Sequence, residues 1–132
     1  MNCKIRSKIA LISVYNKNCI VQFAKSLKNL GWTIVASNGT AKHLKKSGIH
    51  VTFMEELTKI PPILDHRVFS EHIIVAGGLV AKPTKRHDNE RQKYNIPWFD
   101  LLCVDLYPIN LNIDAQNLYN FFIDIIGRPF IG

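Results

Sequence analysis

Short apolar runs alternate with segments of helical periodicity along the first half of the chain, and this alternation strongly constrains the fold. The apolar run at residues 8–14 precedes a segment, 20–30, whose apolar residues recur at intervals of three and four. Two further apolar runs, residues 32–36 and 50–53, flank a second helix-like segment at 40–46. This order predicts β-α-β-α-β, the pattern of parallel crossover units that bury both faces of a sheet.

The remainder of the chain extends this scheme. Residues 55–67 contain two consecutive prolines and predict a loop with short helical turns, whereas 71–81 predict a buried segment followed by a tight turn at Gly77-Gly78. The basic stretch 82–97 predicts a surface excursion with a short helix, 99–106 a strand, and 115–126 a last helix capped by Asp114. We expect one domain, residues 1–132, of the α/β class with a doubly wound, mainly parallel sheet flanked by helices.

Three signals predict how the early helices begin and end. Asn16 or Asn18 can cap the first helix because either side chain accepts hydrogen bonds from free backbone N–H groups. Gly31 is placed to end that helix, and Gly48 to end the second. Gly39 is expected to break the second strand before the helix over 40–46.

Composition limits the partners. Seventeen Lys and Arg against ten Asp and Glu give a net charge of +7, which favours anionic partners. The apolar runs are too short to span a membrane, so no membrane partner is expected. The three cysteines are widely spaced, without a CxxC pair or a completed zinc pattern. We therefore expect reduced cysteines, a cytoplasmic location, and neither a metal nor another cofactor.

Small polar and basic residues follow the predicted strands, where an open parallel sheet binds ligands. Backbone N–H groups and the helix dipole favour an anion at such turns, and Arg or Lys adds charge. The turn at 37–40 alone is more often just a turn and helix cap, but several such turns side by side predict a phosphate site. The residues in question are Ser13, Lys17, Ser37, Gly39, Thr40, Arg67 and Ser70.

Five segments of the chain carry a family resemblance. They are ALISVYNK (10–17), VASNGTAKHLKKSGI (35–49), PPILDHRVFSEHIIVAGGLVA (61–81), DLYP (105–108) and IDIIG (123–127). In order and spacing they resemble the inosine monophosphate (IMP) cyclohydrolase part of the bifunctional purine biosynthesis protein, which belongs to the methylglyoxal synthase-like superfamily. The resemblance covers most of the chain.

The resemblance implies a ligand and a reaction. The ligand is a formamido-carboxamide imidazole ribonucleotide, whose carboxamide nitrogen attacks the formyl carbon so that the purine ring closes with loss of water. Tyr107 and Asp124 match the family residues at the reacting end, and His72 is retained in the motif that follows Arg67. The phosphate and ribose contacts would fall on Ser13, Lys17, Ser37, Gly39, Thr40, Arg67 and Ser70.

Departures from the family pattern leave two functions open. Phe69 stands where the family has a lysine, Asp105 replaces an asparagine, and the chain given ends at Gly132, before a further family lysine. One hypothesis is a cyclohydrolase. The other is a catalytically degenerate nucleotide-binding or regulatory module, with Phe69 stacking on a flat heterocycle in a retained phosphate pocket.

Two expectations concern macromolecular partners. Lys and Arg cluster at 42–46 and 82–93, but without aromatic-basic interleaving or a reader motif, so we expect no nucleic acid. The resemblance implies a homodimer or higher homo-oligomer.

Overall fold

The computed structural model describes residues 6–64 and 72–105, which hold four strands and five helices; the predicted helix over 115–126 lies outside them. The strands are β1 (Ile9–Ser13), β2 (Thr33–Ala36), β3 (Thr52–Phe53) and β4 (Leu101–Val104). The helices are α1 (Ile20–Asn29), α2 (Asn38–Lys46), α3 (Met54–Thr58), α4 (Ile73–Val80) and α5 (Lys85–Lys93).

The four strands form one parallel sheet in the order β3-β2-β1-β4. Leu11 in the middle of β1 pairs with Val35 on one side and Leu102 on the other. Because all strands run the same way, their carboxyl ends lie along one edge of the sheet, with β1 central.

Successive residues of β1 enter two separate cores, as the two-residue period of a strand requires. Ala10 and Ile12 pack with buried residues of α1 and α2, whereas Leu11 packs on the opposite face with Met54 of α3 and Val75 of α4. All of these residues are fully or almost fully buried. Helices on both faces confirm the predicted doubly wound α/β sheet.

The prediction for residues 71–81 was wrong, because α4 is a helix with Gly77 and Gly78 inside it. The glycines serve close packing rather than a turn. A Cβ at Gly78 would lie 2.6 Å from both the Pro97 oxygen and the Phe99 ring, and one at Gly77 would lie 3.0 Å from Ile96. The segment 96–99 can therefore lie directly against α4, which offsets the low helix propensity of the glycine pair.

The helix starts also differ from the predictions. Cys19, in a left-handed conformation with φ 61°, is the N-cap of α1, whereas Asn16 accepts a hydrogen bond from the backbone N–H of Asn18 at 2.9 Å. Helix α2 begins at Asn38, so Gly39 lies in its first turn instead of breaking the strand. Gly31 and Gly48 follow the ends of α1 and α2 with φ of 80° and 78°, as expected for glycines at that position.

Charged and aromatic side chains surround the strand starts at the amino edge of the sheet. The Asp100 carboxylate accepts two bonds from the Arg6 guanidinium, at 2.8 and 2.6 Å, and one from the Ile9 backbone N–H at 2.9 Å. The guanidinium groups of Arg6 and Arg91 lie 5.9 and 4.4 Å from the centre of the Trp98 ring, and the Lys8 ammonium lies 5.4 Å from that of Trp32. These contacts tie the start of β1 to the entry of β4.

Candidate functional site at the carboxyl edge of the sheet

The turns that follow β1 and β2 are joined by the fully buried hydroxyl of Thr40. It accepts a hydrogen bond from the Val14 backbone N–H at 3.2 Å and donates to the Val14 carbonyl at 3.3 Å. The structure thus brings together the first two predicted clusters, Ser13–Lys17 and Ser37–Thr40. With its hydroxyl engaged by Val14, Thr40 holds the two turns together instead of facing a ligand.

The β2–α2 turn presents the start of a helix to the edge. Ser37 is the N-cap, but its side chain makes no capping bond and donates instead to the Thr40 hydroxyl oxygen at 3.3 Å. The first turn of α2 contains no acidic residue, Gly39 is exposed, and a Cβ there would meet nothing within 4 Å. Helix N–H groups in such an open, uncapped turn suit an oxyanion.

The strand-end turn after β3 differs, since it carries acidic residues. Glu55 and Glu56 lie in the first turn of α3, and the Glu56 carboxylate accepts from the Phe53 backbone N–H at 3.0 Å. A helix start occupied in this way is unsuited to a second anion. The suitable edge is therefore the part next to β1 and β2.

Lys17 is half-buried and folds back onto its own loop. Its ammonium donates to the Val14 carbonyl and, at 3.3 Å, to the Tyr15 carbonyl. Burial lowers the pKa of this amine, and the negative charge of Asp105 opposes that effect. Contact with a phosphate would require the side chain to turn away from these carbonyls.

Asp105, immediately after β4, closes the β1–α1 turn. Its two carboxylate oxygens accept from consecutive backbone N–H groups, one from Tyr15 and one from Asn16, the latter at 2.8 Å. The sequence marks Asp105 as a departure from the family pattern but does not predict these partners. Only the strand pairing reveals them: β4 pairs with β1 up to Val104, opposite Ser13, so the residue that follows β4 meets the turn after β1.

Two other titratable groups can be assigned roles. His72 is the N-cap of α4, and its Nδ1 accepts from the Ile74 backbone N–H at 3.1 Å, which leaves Nε2 to carry the proton of the neutral ring. Burial raises the pKa of the Cys103 thiol, and the charge of Asp105 raises it further. Cys103 is therefore protonated at neutral pH and unsuited to act as a nucleophile.

Five of the predicted site residues lie outside the described part of the chain. They are Arg67, Phe69, Ser70, Tyr107 and Asp124. The structure brings together Ser13, Lys17, Ser37, Gly39 and Thr40. Ser13 is buried at the end of β1. Among residues 6–64 and 72–105, no group of three His, Cys, Asp or Glu side chains could hold a metal ion.

A hollow of about 590 Å³ lies elsewhere, at the amino edge, beside Arg6, Lys8, Leu30 and Trp32. Its cations already have partners, since Arg6 binds Asp100 and Lys8 lies over Trp32. It is also at the wrong edge for a ligand of a parallel sheet. Size alone does not make it the functional site.

Comparison with known proteins agrees with this architecture. The family model for the MGS-like domain matches residues 19–120. This chain belongs to the MGS-like domain family. The crystal structure of ForH superposes on 92% of the chain and 64% of its own length, with a TM-score of 0.79 and 29% identity. No helix in the described ranges is long and apolar enough to cross a membrane.

Curated relatives of this chain include bifunctional purine biosynthesis proteins PurH. This MGS-like domain chain is 40% identical over 127 residues to that of Caldicellulosiruptor saccharolyticus, and 41% identical over 127 residues to that of Oceanobacillus iheyensis, covering 96% of the chain and 24% of the relative in each case. The Dictyostelium discoideum protein is 41% identical over 109 residues, or 82% of the chain and 20% of the relative. The chain thus spans about a quarter of the length of such relatives, and the predicted relationship to the purine biosynthesis protein is confirmed.

Proposed function

We propose that this chain is an IMP cyclohydrolase-like protein of purine nucleotide biosynthesis. It binds a phosphorylated imidazole carboxamide ribonucleotide at the carboxyl edge of the sheet and closes the second ring with loss of water. The observation that carries the proposal is the open start of α2, where Ser37 leaves the first turn uncapped beside β1. The identity to PurH proteins over most of the chain supports the choice of ligand.

The phosphate is assigned to the β2–α2 turn. Backbone N–H groups of the first helical turn supply donors, and Gly39 permits close approach of the phosphate oxygens to the backbone. The Ser37 hydroxyl can add a donor by turning its proton from Thr40 to the phosphate. Arg67 and Ser70 are proposed to complete this contact, with Ser13 and Lys17 toward the ribose. Thr40 supports the site by holding the β1 and β2 turns together.

The reaction needs a nitrogen–carbon bond and the loss of one water. The carboxamide nitrogen attacks the formyl carbon, and the formyl oxygen departs as water with one proton from each of the two nitrogens. We assign Tyr107 to donate a hydrogen bond to that oxygen and Asp124 to orient or accept a proton. His72 can serve only through Nε2 while Nδ1 caps α4.

A specific observation supports the second candidate, a nucleotide-binding or regulatory module without turnover. Asp105 places a carboxylate on the β1–α1 turn, and Phe69 can supply neither charge nor proton where the family has a lysine. Loss of one positioned acid–base group typically lowers the rate by about 10²- to 10⁴-fold. Phosphate binding at the β2–α2 turn does not depend on either residue.

The deciding experiment is a calorimetric titration with IMP and with the imidazole carboxamide ribonucleotide, followed by a ring-closure assay by ultraviolet absorbance. Ser37→Ala and Arg67→Ala are the test variants. Arg86→Ala is a control for lost positive charge, because Arg86 is exposed on α5. We expect micromolar binding that both test variants weaken and the control retains.

The outcomes separate the candidates. Binding with ring closure establishes the cyclohydrolase, and binding without ring closure establishes the module. Absence of binding to both ligands contradicts the proposal as a whole.

We further propose that residues 1–132 act as one cytoplasmic domain in a homodimer or larger homo-oligomer, without cofactor or nucleic acid; sedimentation tests the assembly. Steep weakening of DNA binding by salt would reveal a phosphate-backbone contact instead.

A further inference from the structure

We propose that Asp105 is a specificity-determining residue: it occupies an oxyanion receptor formed by the backbone N–H groups of Tyr15 and Asn16, and so restricts an anionic ligand group to the β2–α2 turn. The inference about Asp105 rests on its own contacts. Its consequence for ligand orientation rests on the proposed function.

The receptor is defined by its geometry. Two consecutive backbone N–H groups converge on one carboxylate, each donating to a different oxygen, with the Asn16 bond at 2.8 Å. Consecutive N–H groups in a turn form a concave anion site, and this one is filled by a group of the required charge. The turn is separate from a helix start, since α1 begins only at Ile20.

The pairing of β4 with β1 keeps the Asp105 carboxylate in this receptor. Asp105 follows Val104, which pairs with Ser13 at the end of β1, so the carboxylate is delivered to the turn by the sheet itself. An external anion must displace a group whose effective concentration is high because both are parts of one fold. It must also approach a fixed negative charge.

The two turns therefore differ in what they accept. The β2–α2 turn has an uncapped helix start, and the β1–α1 turn is occupied. Adjacent strands lie about 4.8 Å apart, so the ends of β2 and β4 are separated by roughly 10 Å across β1. A ligand with its phosphate at β2–α2 then directs its uncharged part toward Asp105, whose oxygens can accept from an amide or amine.

The test uses two-dimensional ¹H–¹⁵N NMR of the full chain, titrated with inorganic phosphate. The variants are Asp105→Asn, nearly equal in size, and Asp105→Ala, which removes both oxygens. Glu90→Gln gives the same change in net charge at an exposed position on α5. In the wild type and in Glu90→Gln, phosphate should shift the amides of Gly39 and Thr40 and leave those of Tyr15 and Asn16 unchanged.

In both Asp105 variants the Tyr15 and Asn16 amides should also shift, with phosphate binding at that turn at least about tenfold tighter than in the wild type, as expected when charge-assisted bonds become available. The inference is overturned if, in the wild type, phosphate shifts these amides at concentrations no higher than those that shift Gly39 and Thr40, or with the same midpoint as in the variants. It is equally overturned if they stay silent in both variants.

The proposed function fails separately. If Gly39 and Thr40 are silent in the wild type while the Asp105 variants gain phosphate at Tyr15 and Asn16, the receptor stands and the β2–α2 phosphate site does not. The wild-type titration alone can contradict the inference, so the test does not depend on either variant folding.

Discussion

Two aspartates flank β4 and bind opposite ends of β1, but their surroundings differ. Asp100, at the amino edge, accepts from the Ile9 backbone N–H and is neutralised by a two-bond contact with Arg6. Asp105, at the carboxyl edge, accepts from two backbone N–H groups, and within residues 6–64 and 72–105 no Lys or Arg forms an ion pair with it. The aspartate at the amino edge is thus neutralised by a cation, whereas the aspartate at the carboxyl edge keeps its negative charge.

The difference distinguishes a stabilising contact, that of Asp100, from a candidate ligand-binding group, Asp105. A carboxylate that is matched by a guanidinium contributes to stability and has little left to offer a ligand. A carboxylate that is bound only by backbone N–H groups can act on neighbouring groups through its charge. The charge of Asp105 acts to raise the pKa of both Lys17 and Cys103. Variants that weaken either edge can break or sharpen this contrast.

The largest effect is expected for the carboxyl edge, where Thr40 adds a second tie to β1. Thr40→Val should lower the free energy of unfolding by about 2 kcal/mol, because the Val14 N–H then loses its acceptor in a buried setting. Urea unfolding provides the measurement. Thr40→Ser keeps the hydroxyl and should cost about half as much; equal losses for the two variants would show that the hydroxyl does not hold the turns.

A direct comparison of the two aspartates should give the next largest effect. Asp100→Ala should cost about 1.5 kcal/mol, because the Ile9 N–H and Arg6 both lose their acceptor at once, and Asp105→Ala about 1 kcal/mol, because its turn can rebind water. Urea unfolding at neutral pH measures both, with Glu90→Gln as the surface reference. A larger loss of unfolding free energy for Asp105→Ala than for Asp100→Ala would contradict the assignment of Asp100 as the stabilising contact.

The Arg6–Asp100 pair at the amino edge should stabilise the fold at neutral pH and lose this effect in acid. The Arg6 bond, aided by the Ile9 N–H, holds the pKa of Asp100 below its ordinary value of 3.8. As pH falls, the unfolded chain takes up this proton first, so the stabilisation is complete above about pH 5 and is lost toward pH 2. The stability difference between the wild type and Asp100→Asn should therefore shrink over that range. A constant difference would contradict this role of Arg6.

The smallest effect is expected at Gly39, in the open turn. Gly39→Ala should raise the free energy of unfolding by about 0.5 kcal/mol, because the position is helical and a Cβ there meets nothing within 4 Å. Phosphate binding should weaken as the backbone becomes less accessible. Gly78→Ala provides the contrast, since its Cβ would lie 2.6 Å from the Pro97 oxygen and should destabilise the fold. A loss of stability at Gly39 would mean that the turn is not open.

The parts of the fold that were predictable depend on repetition along the chain. The apolar run of β1 and the spacing of Ile20, Ala24 and Leu27 are local patterns, and they identified the strand, the helix and the parallel sheet. The same reasoning fails at Gly77-Gly78. A glycine pair is locally typical of a turn, but here the glycines allow the close approach of Phe99 and Pro97, about twenty residues away.

The site shows the same division. Polar residues at strand ends identified the edge that Ser37 and Lys17 occupy, since strand ends converge in any parallel sheet. Which groups face outward was not predictable, because Thr40 and Asp105 bond to backbone atoms of Val14, Tyr15 and Asn16 that only the tertiary fold brings near. The family resemblance supplied residue types at the site, not their partners.

Both tryptophans stand at the amino edge, and this placement has an optical consequence. Trp32 precedes β2 and Trp98 precedes β4, each beside a cation, and the chain contains no other tryptophan. The five residues of β1 put roughly 16 Å between the two edges. Tryptophan emission should therefore follow denaturation of the sheet but respond little to a ligand at the carboxyl edge, so a tryptophan reporter of occupancy has to be introduced there.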